Sequence, residues 1–181
     1  MKDSGHDLLQ KIAAKDESAM ETFYNEFHMV VYRFSLKRMS EPSDAAEVLN
    51  QVMLEVWRTA HRFEGRSKVQ TWLLGITNHK IIDSLRKSTR HEGDEIPENL
   101  EDDTERSPFE HVSLSEHSEY IKRCLEKLTD HHRQVVHLAF FEELAYGEIS
   151  QIVDCPEGTV KTRMYHAKNA LKKCLKQFIS S

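Results

Sequence analysis

Glycine and proline are scarce in this chain, with 6 glycines and 4 prolines among 181 residues. These residue types mark most sharp turns, so their scarcity favours a mainly helical protein. Long apolar runs are absent too. The longest, Val135–Phe141, is far shorter than the roughly 18 residues that a membrane span needs, and the N-terminus carries no hydrophobic signal-peptide region. The sequence therefore predicts a soluble, cytoplasmic protein without membrane insertion.

Cysteine is also rare: no C-x-x-C pair occurs among the three residues, Cys124, Cys155 and Cys174. An odd and scattered set favours a reducing compartment over a disulfide framework. We therefore expect these cysteines to stay unpaired, and we expect no metal chemistry at them.

Histidine is common, with 11 residues, but the spacing of His131, His132 and His137 matches no zinc motif. Histidines on a helix that are solvated or hydrogen-bonded are the favoured interpretation, and a zinc site is the alternative. Nucleophile elbows, phosphate loops and paired catalytic acids are absent. We expect no cofactor and no enzymatic activity.

Charge is abundant but unevenly distributed. The net charge is -5, yet residues 61–90 hold seven basic and two acidic residues, and residues 161–181 hold six basic residues and no acidic one. Phosphate contacts need clustered cations, so this pattern is typical of a protein that holds DNA at two separate places. Two ordinary basic helix faces are the alternative interpretation.

An acidic segment separates the two basic blocks. Residues 91–110 carry nine acidic residues and two prolines with few large apolar groups, a composition that cannot bury enough surface to form a core. We interpret residues 91–110 as a linker between a first domain, residues 1–90, and a second domain, residues 111–181.

The first domain is predicted to be a bundle of three or four helices. Asp16 or Ser18 can begin a helix that continues to Leu36, and Thr71–Lys87 forms another with a basic end. Between them, Ser43 can cap a helix with one apolar stripe, formed by positions 45, 48, 49, 52, 53, 56 and 60.

The second domain reads as four helices, and the last two have the layout of a helix-turn-helix. A helix from about Leu114 to Lys127 is followed by one that Thr129 or Asp130 caps, and then by a short helix over Tyr146–Val153. The last helix begins at Pro156, which suits a first helical position. Val160, Met164, Ala167 and Leu171 form its buried stripe.

The exposed residues of that last helix are types that read DNA. Arg163 can bind guanine with two hydrogen bonds, threonines can meet base edges or phosphates, and lysines attract the backbone. Gly158 lets the N-terminus of the helix approach DNA closely. A solvated amphipathic helix is the alternative.

Two sets of motifs match one family. The segment Leu144–Ile149 followed by Pro156–Arg163 resembles the second conserved domain of RNA polymerase sigma factors of the extracytoplasmic-function type. Further segments resemble the first conserved domain of the same family: Asp44–Glu47, Val56–Arg58, Phe63–Gly65, Thr71–Leu73, and Asn78 followed by Asp83–Lys87. Together they cover most of the chain in the family order.

The resemblance implies an all-α protein with two small domains, a helical bundle and a helix-turn-helix, joined by the acidic linker. In the family, the first domain docks on core RNA polymerase, melts promoter DNA near the minus-ten element and captures an unstacked base, and the second reads the minus-thirty-five element. A sigma factor that directs promoter-specific transcription initiation is therefore the expected function. A stand-alone helix-turn-helix regulator is the alternative.

The resemblance and the residue chemistry together give two sets of candidate site residues. The polymerase-binding set is Asp44, Glu47, Asn50, Gln51 and Glu55. The DNA-binding set is Arg66, Lys68, Asn78, Lys80, Arg86, Lys87, Gly158, Thr159, Lys161, Thr162, Arg163, His166 and Lys168. Trp72 reads as a core residue more readily than as a stacking platform. The linker is expected to imitate nucleic acid in the RNA path of the polymerase or to act as a spacer.

Some positions depart from the family pattern. Family members carry Asp-Ala-Glu-Asp and a later Gln-Glu in the docking helix, whereas this chain has Asp44-Ala45-Ala46-Glu47 and Asn50-Gln51. Two carboxylates are missing, which predicts weaker docking. We hypothesise that a Ser/Thr kinase supplies the charge by phosphorylating Thr59, and an ordinary exposed threonine is the alternative. An anti-sigma protein is a further expected partner. In the helix-turn-helix, Ala145 replaces a capping serine and Asp154 a glycine.

Overall fold

The computed structural model describes residues 4–39, 41–91 and 116–179. It contains eight α-helices and a short 3-10 helix in these ranges, without a β-strand, which confirms the predicted all-α class. The chain divides into two compact units, Met1–Glu98 and Asn99–Ser181. The division falls within the predicted linker, but residues 92–110 lie outside the described part of the chain, so the linker itself stays a prediction.

The first unit is a bundle of four helices and one 3-10 turn. The helices are α1 (Ser4–Ala13), α2 (Glu17–Leu36), α3 (Pro42–Thr59) and α4 (Val69–His91), and the 3-10 helix Ala60–Arg62 follows α3. Every position of the predicted apolar stripe is buried, from Ala45 in α3 to Ala60 at the start of the 3-10 helix. They pack with Phe23, Val31 and Phe34 of α2 and with Leu73, Leu74 and Ile81 of α4. Burial of large apolar side chains, about 1.5–3 kcal/mol each, stabilises this bundle.

Two local predictions in the first unit need correction. Helix α1 was not expected, because Leu9 and Ile12 are its only fully buried apolar side chains among polar neighbours. Helix α3 begins one residue before Ser43: Glu41 is its N-cap without a side-chain hydrogen bond, and Pro42 occupies the first position. By contrast, Asp16 caps α2 as predicted, since its carboxylate accepts a 3.0 Å hydrogen bond from the Ala19 N–H.

The second unit consists of α5 (Glu116–Glu126), α6 (Asp130–Phe140), α7 (Tyr146–Ile152) and α8 (Glu157–Ile179). Helix α8 packs against the other three. Its Val160, Met164 and Ala167 are buried, as the sequence predicted, whereas Leu171 is half-buried.

The prediction that all three cysteines stay unpaired is wrong. Cys124 of α5 and Cys174 of α8 form a disulfide with their Cα atoms 5.8 Å apart, and Cys155 is free. The pair is 50 residues apart in sequence and meets because α5 packs along α8, where Tyr120 also stacks on Phe178 at 4.7 Å. Spacing rules detect local cysteine pairs, so they could not find this one.

Candidate DNA and polymerase interfaces

Helix α8 presents a cationic face at its N-terminal half. Lys161, Thr162, His166 and Lys168 are exposed, and Thr159 and Arg163 are half-buried. Gly158 is exposed, and a Cβ at this position would meet no atom within 4 Å. The opposite face is held in the core by Val160 and Met164. This arrangement leaves the predicted DNA-reading side chains on the outside of the second helix of a helix-turn-helix.

Neighbours in α8 hold two of these side chains in place. Lys161 donates to Glu157 at 2.8 Å, and this hydrogen bond raises the pKa of Lys161. The Thr162 hydroxyl donates to the Gly158 carbonyl at 3.0 Å. The lone pairs of the Thr162 oxygen still have room to accept a hydrogen bond from a base or from water.

The turn between α7 and α8 positions the cationic face. Asp154 has a φ of 49°, a left-handed conformation that ends α7, and the Cys155 N–H donates to the Ser150 carbonyl at 3.2 Å. At the start of α7, the Ala145 N–H donates to Glu148 Oε2 at 2.9 Å. The sequence identified both positions as departures from the family: Ala145 is the N-cap of α7 without a side-chain hydrogen bond, and Asp154 takes the left-handed conformation that a glycine would take more easily.

The basic end of α4 faces α3 across a surface cavity of about 330 Å³, which Gln51, Lys80, Asp83, Arg86 and Lys87 line. Arg86 and Lys87 are exposed. Lys80 differs from these two exposed cations, because its ammonium pairs with Glu55 of α3 at 3.2 Å. The structure thus joins a predicted DNA-binding residue to a predicted polymerase-binding residue.

The loop before α4 carries the other predicted DNA residues of the first unit. Arg66 and Lys68 are both exposed, and Arg66 pairs with Glu64. Trp72, at the beginning of α4, is half-buried, and its ring lies 5.3 Å from that of Phe63. The ring is anchored by an aromatic neighbour and keeps part of its surface accessible.

Asn78 does not fit the DNA-binding set. Its side chain is 3% exposed, and Arg38 Nη1 donates to its Oδ1 at 2.5 Å. The folded unit therefore does not present this amide to a DNA strand. The structure corrects the prediction: Asn78 binds Arg38 inside the bundle and joins α4 to the turn after α2.

The predicted docking face runs along the outside of α3. Asp44, Glu47 and Asn50 are exposed, and Gln51, which is half-buried, donates to Glu47 Oε1 at 2.8 Å. Sequence reasoning missed Leu54, which is 55% exposed on the same face. Its position outside the buried stripe of α3 was the available indication, because a solvated helix face normally carries polar residues there.

Thr59 is the last residue of α3 and is half-buried. Its hydroxyl donates to the Glu55 carbonyl at 2.7 Å. The side chain is therefore oriented along the helix toward the residue that holds Lys80.

Residues 4–39, 41–91 and 116–179 show neither a metal-binding cluster nor a membrane-spanning helix. No cluster of three or more His, Cys, Asp or Glu side chains there has a geometry that would hold a metal ion. The helices of the same ranges include none with the length and apolar character of a membrane span.

Both units match family models. Sigma-70 region 2 matches residues 23–91, and sigma-70 region 4 matches residues 118–171. The ECF RNA polymerase sigma factor RpoE of Cereibacter sphaeroides is 30% identical over 161 residues, which cover 87% of each chain. The ECF sigma factor SigK of Mycolicibacterium vanbaalenii is 27% identical, with 93% of this chain and 87% of that protein covered.

Solved structures agree in fold. The sigma factor RpoE of Bartonella quintana, in complex with the anti-sigma factor NepR, superposes with a TM-score of 0.67 at 22% identity, covering 86% of this chain and 96% of the other. CnrH in complex with the cytosolic domain of CnrY gives 0.66 at 16% identity, covering 95% and 97%. This chain belongs to the ECF group of RNA polymerase sigma factors, the non-enzymatic transcription factors that direct promoter-specific initiation.

Proposed function

We propose that this sigma factor divides initiation between its two units. Residues 1–90 dock on core polymerase through α3 and hold melted DNA near the minus-ten element on the basic end of α4. Residues 111–181 read the minus-thirty-five element with α8. The chain acts where core polymerase and the chromosome are, in the cytoplasm.

The observation that carries the proposal is the cavity between α3 and α4. Gln51 of the docking helix lines the same cavity as Lys80, Arg86 and Lys87. Strand separation costs several kcal/mol and has to occur on the polymerase, so a docking surface directly beside a strand-holding surface supports this role.

The test is reconstitution of the full chain with core polymerase and transcription of fragmented genomic DNA, followed by mapping of transcript starts. We expect transcript starts that appear only when the chain is present. The DNA upstream of these starts should share one sequence at the minus-ten position and another at the minus-thirty-five position. Lys161→Ala with Arg163→Ala should weaken protection of the upstream element, whereas Arg86→Ala with Lys87→Ala should reduce strand opening. Lys11→Ala and Lys127→Ala, two exposed lysines outside the proposed surfaces, are the controls.

Two outcomes would contradict the proposal. The first is initiation with core polymerase that none of the four substitutions alters. The second is full-affinity, sequence-specific binding to duplex DNA by the chain alone, which is the behaviour of a stand-alone helix-turn-helix regulator.

The docking helix lacks two carboxylates of the family pattern, and we propose that phosphorylation of Thr59 by a Ser/Thr kinase compensates. A phosphothreonine adds a charge close to -2 at the end of the docking face. Affinity for core polymerase should rise in the order Thr59→Ala, Thr59→Glu, phosphorylated Thr59. Ala46→Glu with Gln51→Glu, which restores the family charges directly, should bypass the need for phosphate. Equal affinity of all these forms would refute the idea.

An anti-sigma protein is the proposed inhibitor. Its support is that the fold is shared with the sigma factor RpoE of Bartonella quintana, which was solved in complex with the anti-sigma factor NepR. The proposal predicts that a protein purified with the tagged chain competes with core polymerase for it. A purified chain whose copurifying proteins never displace core polymerase would count against it.

A further inference from the structure

Four nitrogen-bearing side chains lie together beside the DNA-reading face of α8, and we call them the histidine cluster: His131, His132, Arg163 and His166. His131 and His132 belong to the first turn of α6, and the other two to α8. The rings of His132 and His166 stack with their centroids 6.2 Å apart. His131 and His166 are exposed, and His132 and Arg163 are half-buried. The proposed function uses neither His131 nor His132.

Electrostatic repulsion is built into the cluster. Burial, together with the positive charges of His166, Arg163 and His131, lowers the pKa of His132. The acids on these helices include Asp130, which pairs with Arg133 at 3.6 Å, Glu157, which pairs with Lys161 at 2.8 Å, and Glu148 of α7, which accepts the Ala145 N–H at 2.9 Å. An anion from outside would relieve this repulsion.

We infer that the histidine cluster is a proton-linked site for a DNA backbone phosphate, which it holds beside α8 more tightly at low pH. This inference rests on the proposed role of α8 in reading promoter DNA. Backbone phosphates are the anions that every duplex brings to a recognition helix. Arg163 is always charged, and a protonated imidazole adds a cation and a second N–H donor.

The sign of the pH effect follows from linkage. The bound phosphate stabilises the protonated imidazole of His132, so it raises the pKa of His132, and the complex takes up a proton as it forms. Affinity for DNA therefore increases as the pH falls toward the pKa of His132 in the free chain. If bound phosphate raises the pKa of His132 by one unit, the affinity for DNA increases about tenfold over that pH range.

The first test follows the histidine rings of the full-length chain by NMR as a function of pH. The probe is a mixed-sequence duplex of about 20 base pairs, because phosphate contacts are independent of sequence. We expect the duplex to raise the pKa of His132. Inorganic phosphate should raise the same pKa only at much higher concentration. The inference fails if the duplex leaves the pKa of His132 unchanged, or if inorganic phosphate raises it and the duplex does not.

The second test measures duplex affinity at constant ionic strength from about pH 6 to about pH 8. We expect the unmodified chain to bind about tenfold more tightly at the lower pH. His132→Asn should lose most of this dependence, whereas His61→Asn, which removes an exposed histidine of the first unit, should keep it. Equal pH dependence in all three proteins would overturn the inference.

These outcomes separate the inference from the proposed function. If the cluster is not a phosphate site but the function is right, His132→Asn and the unmodified chain initiate transcription with the same pH profile. If the function is wrong, initiation with core polymerase is absent at every pH. The NMR test uses the unmodified chain, so a variant that failed to fold would not prevent a decision.

Discussion

Asn78 shows how burial changes the role of a polar residue. An asparagine in a basic helix can hydrogen-bond DNA, but this one lies inside the bundle and accepts a hydrogen bond from Arg38. A buried hydrogen bond to a charged group contributes about 1.5–3 kcal/mol, and loss of one partner leaves the other incompletely satisfied.

The expected effect of Asn78→Ala is therefore on stability. The free energy of unfolding of the first unit should fall by about 1–3 kcal/mol, measured by urea denaturation with tryptophan fluorescence. Both tryptophans of the chain, Trp57 and Trp72, belong to this unit.

A double-mutant cycle provides the control. Asn78→Ala and Arg38→Ala together should cost less than the sum of the single changes, because both remove the same interaction. A variant Asn78→Ala that unfolds like the unmodified chain but melts promoters poorly would instead support a direct DNA contact.

Residue identity predicted the chemistry of the site better than its accessibility. The exposed cations of α8 were identified because apolar positions three and four apart define the opposite, buried face. Asn78 was misjudged and Leu54 was missed because their environments depend on other helices: Arg38 reaches Asn78 from 40 residues away, and the described helices of the first unit leave Leu54 55% exposed.

At the scale of the elements, the beginning of α7 is only half capped. Glu148 satisfies the Ala145 N–H at 2.9 Å, but the alanine side chain has no oxygen that could accept the N–H three residues later. The backbone of Ala145 already has the extended conformation of an N-cap, with φ -71° and ψ 153°. A serine would fit without rearrangement.

We expect Ala145→Ser to raise the free energy of unfolding of the second unit by about 0.5–1 kcal/mol, because its hydroxyl completes the reciprocal cap. The measurement is urea denaturation followed by circular dichroism. Ala145→Val, which adds a side chain without an acceptor, should give no gain. If valine stabilises as much as serine, the cap is not the cause.

Helix prediction succeeded where the apolar pattern extends over several turns and failed where it extends over few. The stripe from Ala45 to Ala60 spans four turns, and all seven predicted positions are buried. Helix α1 has ten residues, and its packing on α2 is what stabilises it, since isolated helices of this length are marginal in water. Such tertiary stabilisation leaves little trace in the local sequence.

At the scale of the whole molecule, the two units differ in how they are stabilised. The first buries Phe23, Phe34 and many aliphatic side chains in a four-helix core. Among the described residues, the second has fewer large core side chains, and a covalent bond between Cys124 and Cys174 supplements its packing. A cross-link stabilises mainly because it restricts the unfolded chain, and longer loops gain more.

The two units should therefore respond differently to a thiol reductant. For residues separated by 50 positions, the loss of the disulfide should lower the free energy of unfolding of the second unit by about 3–4 kcal/mol. Circular dichroism, which reports helices of both units, should show part of the transition moving to lower urea. Tryptophan fluorescence, which reports only the first unit, should not change.

The Cys155→Ser variant should retain this response to the reductant, and the variant with Cys124→Ala and Cys174→Ala should lack it. A fluorescence transition that shifts together with the circular dichroism would mean that the units do not unfold independently, because the bond joins only α5 and α8.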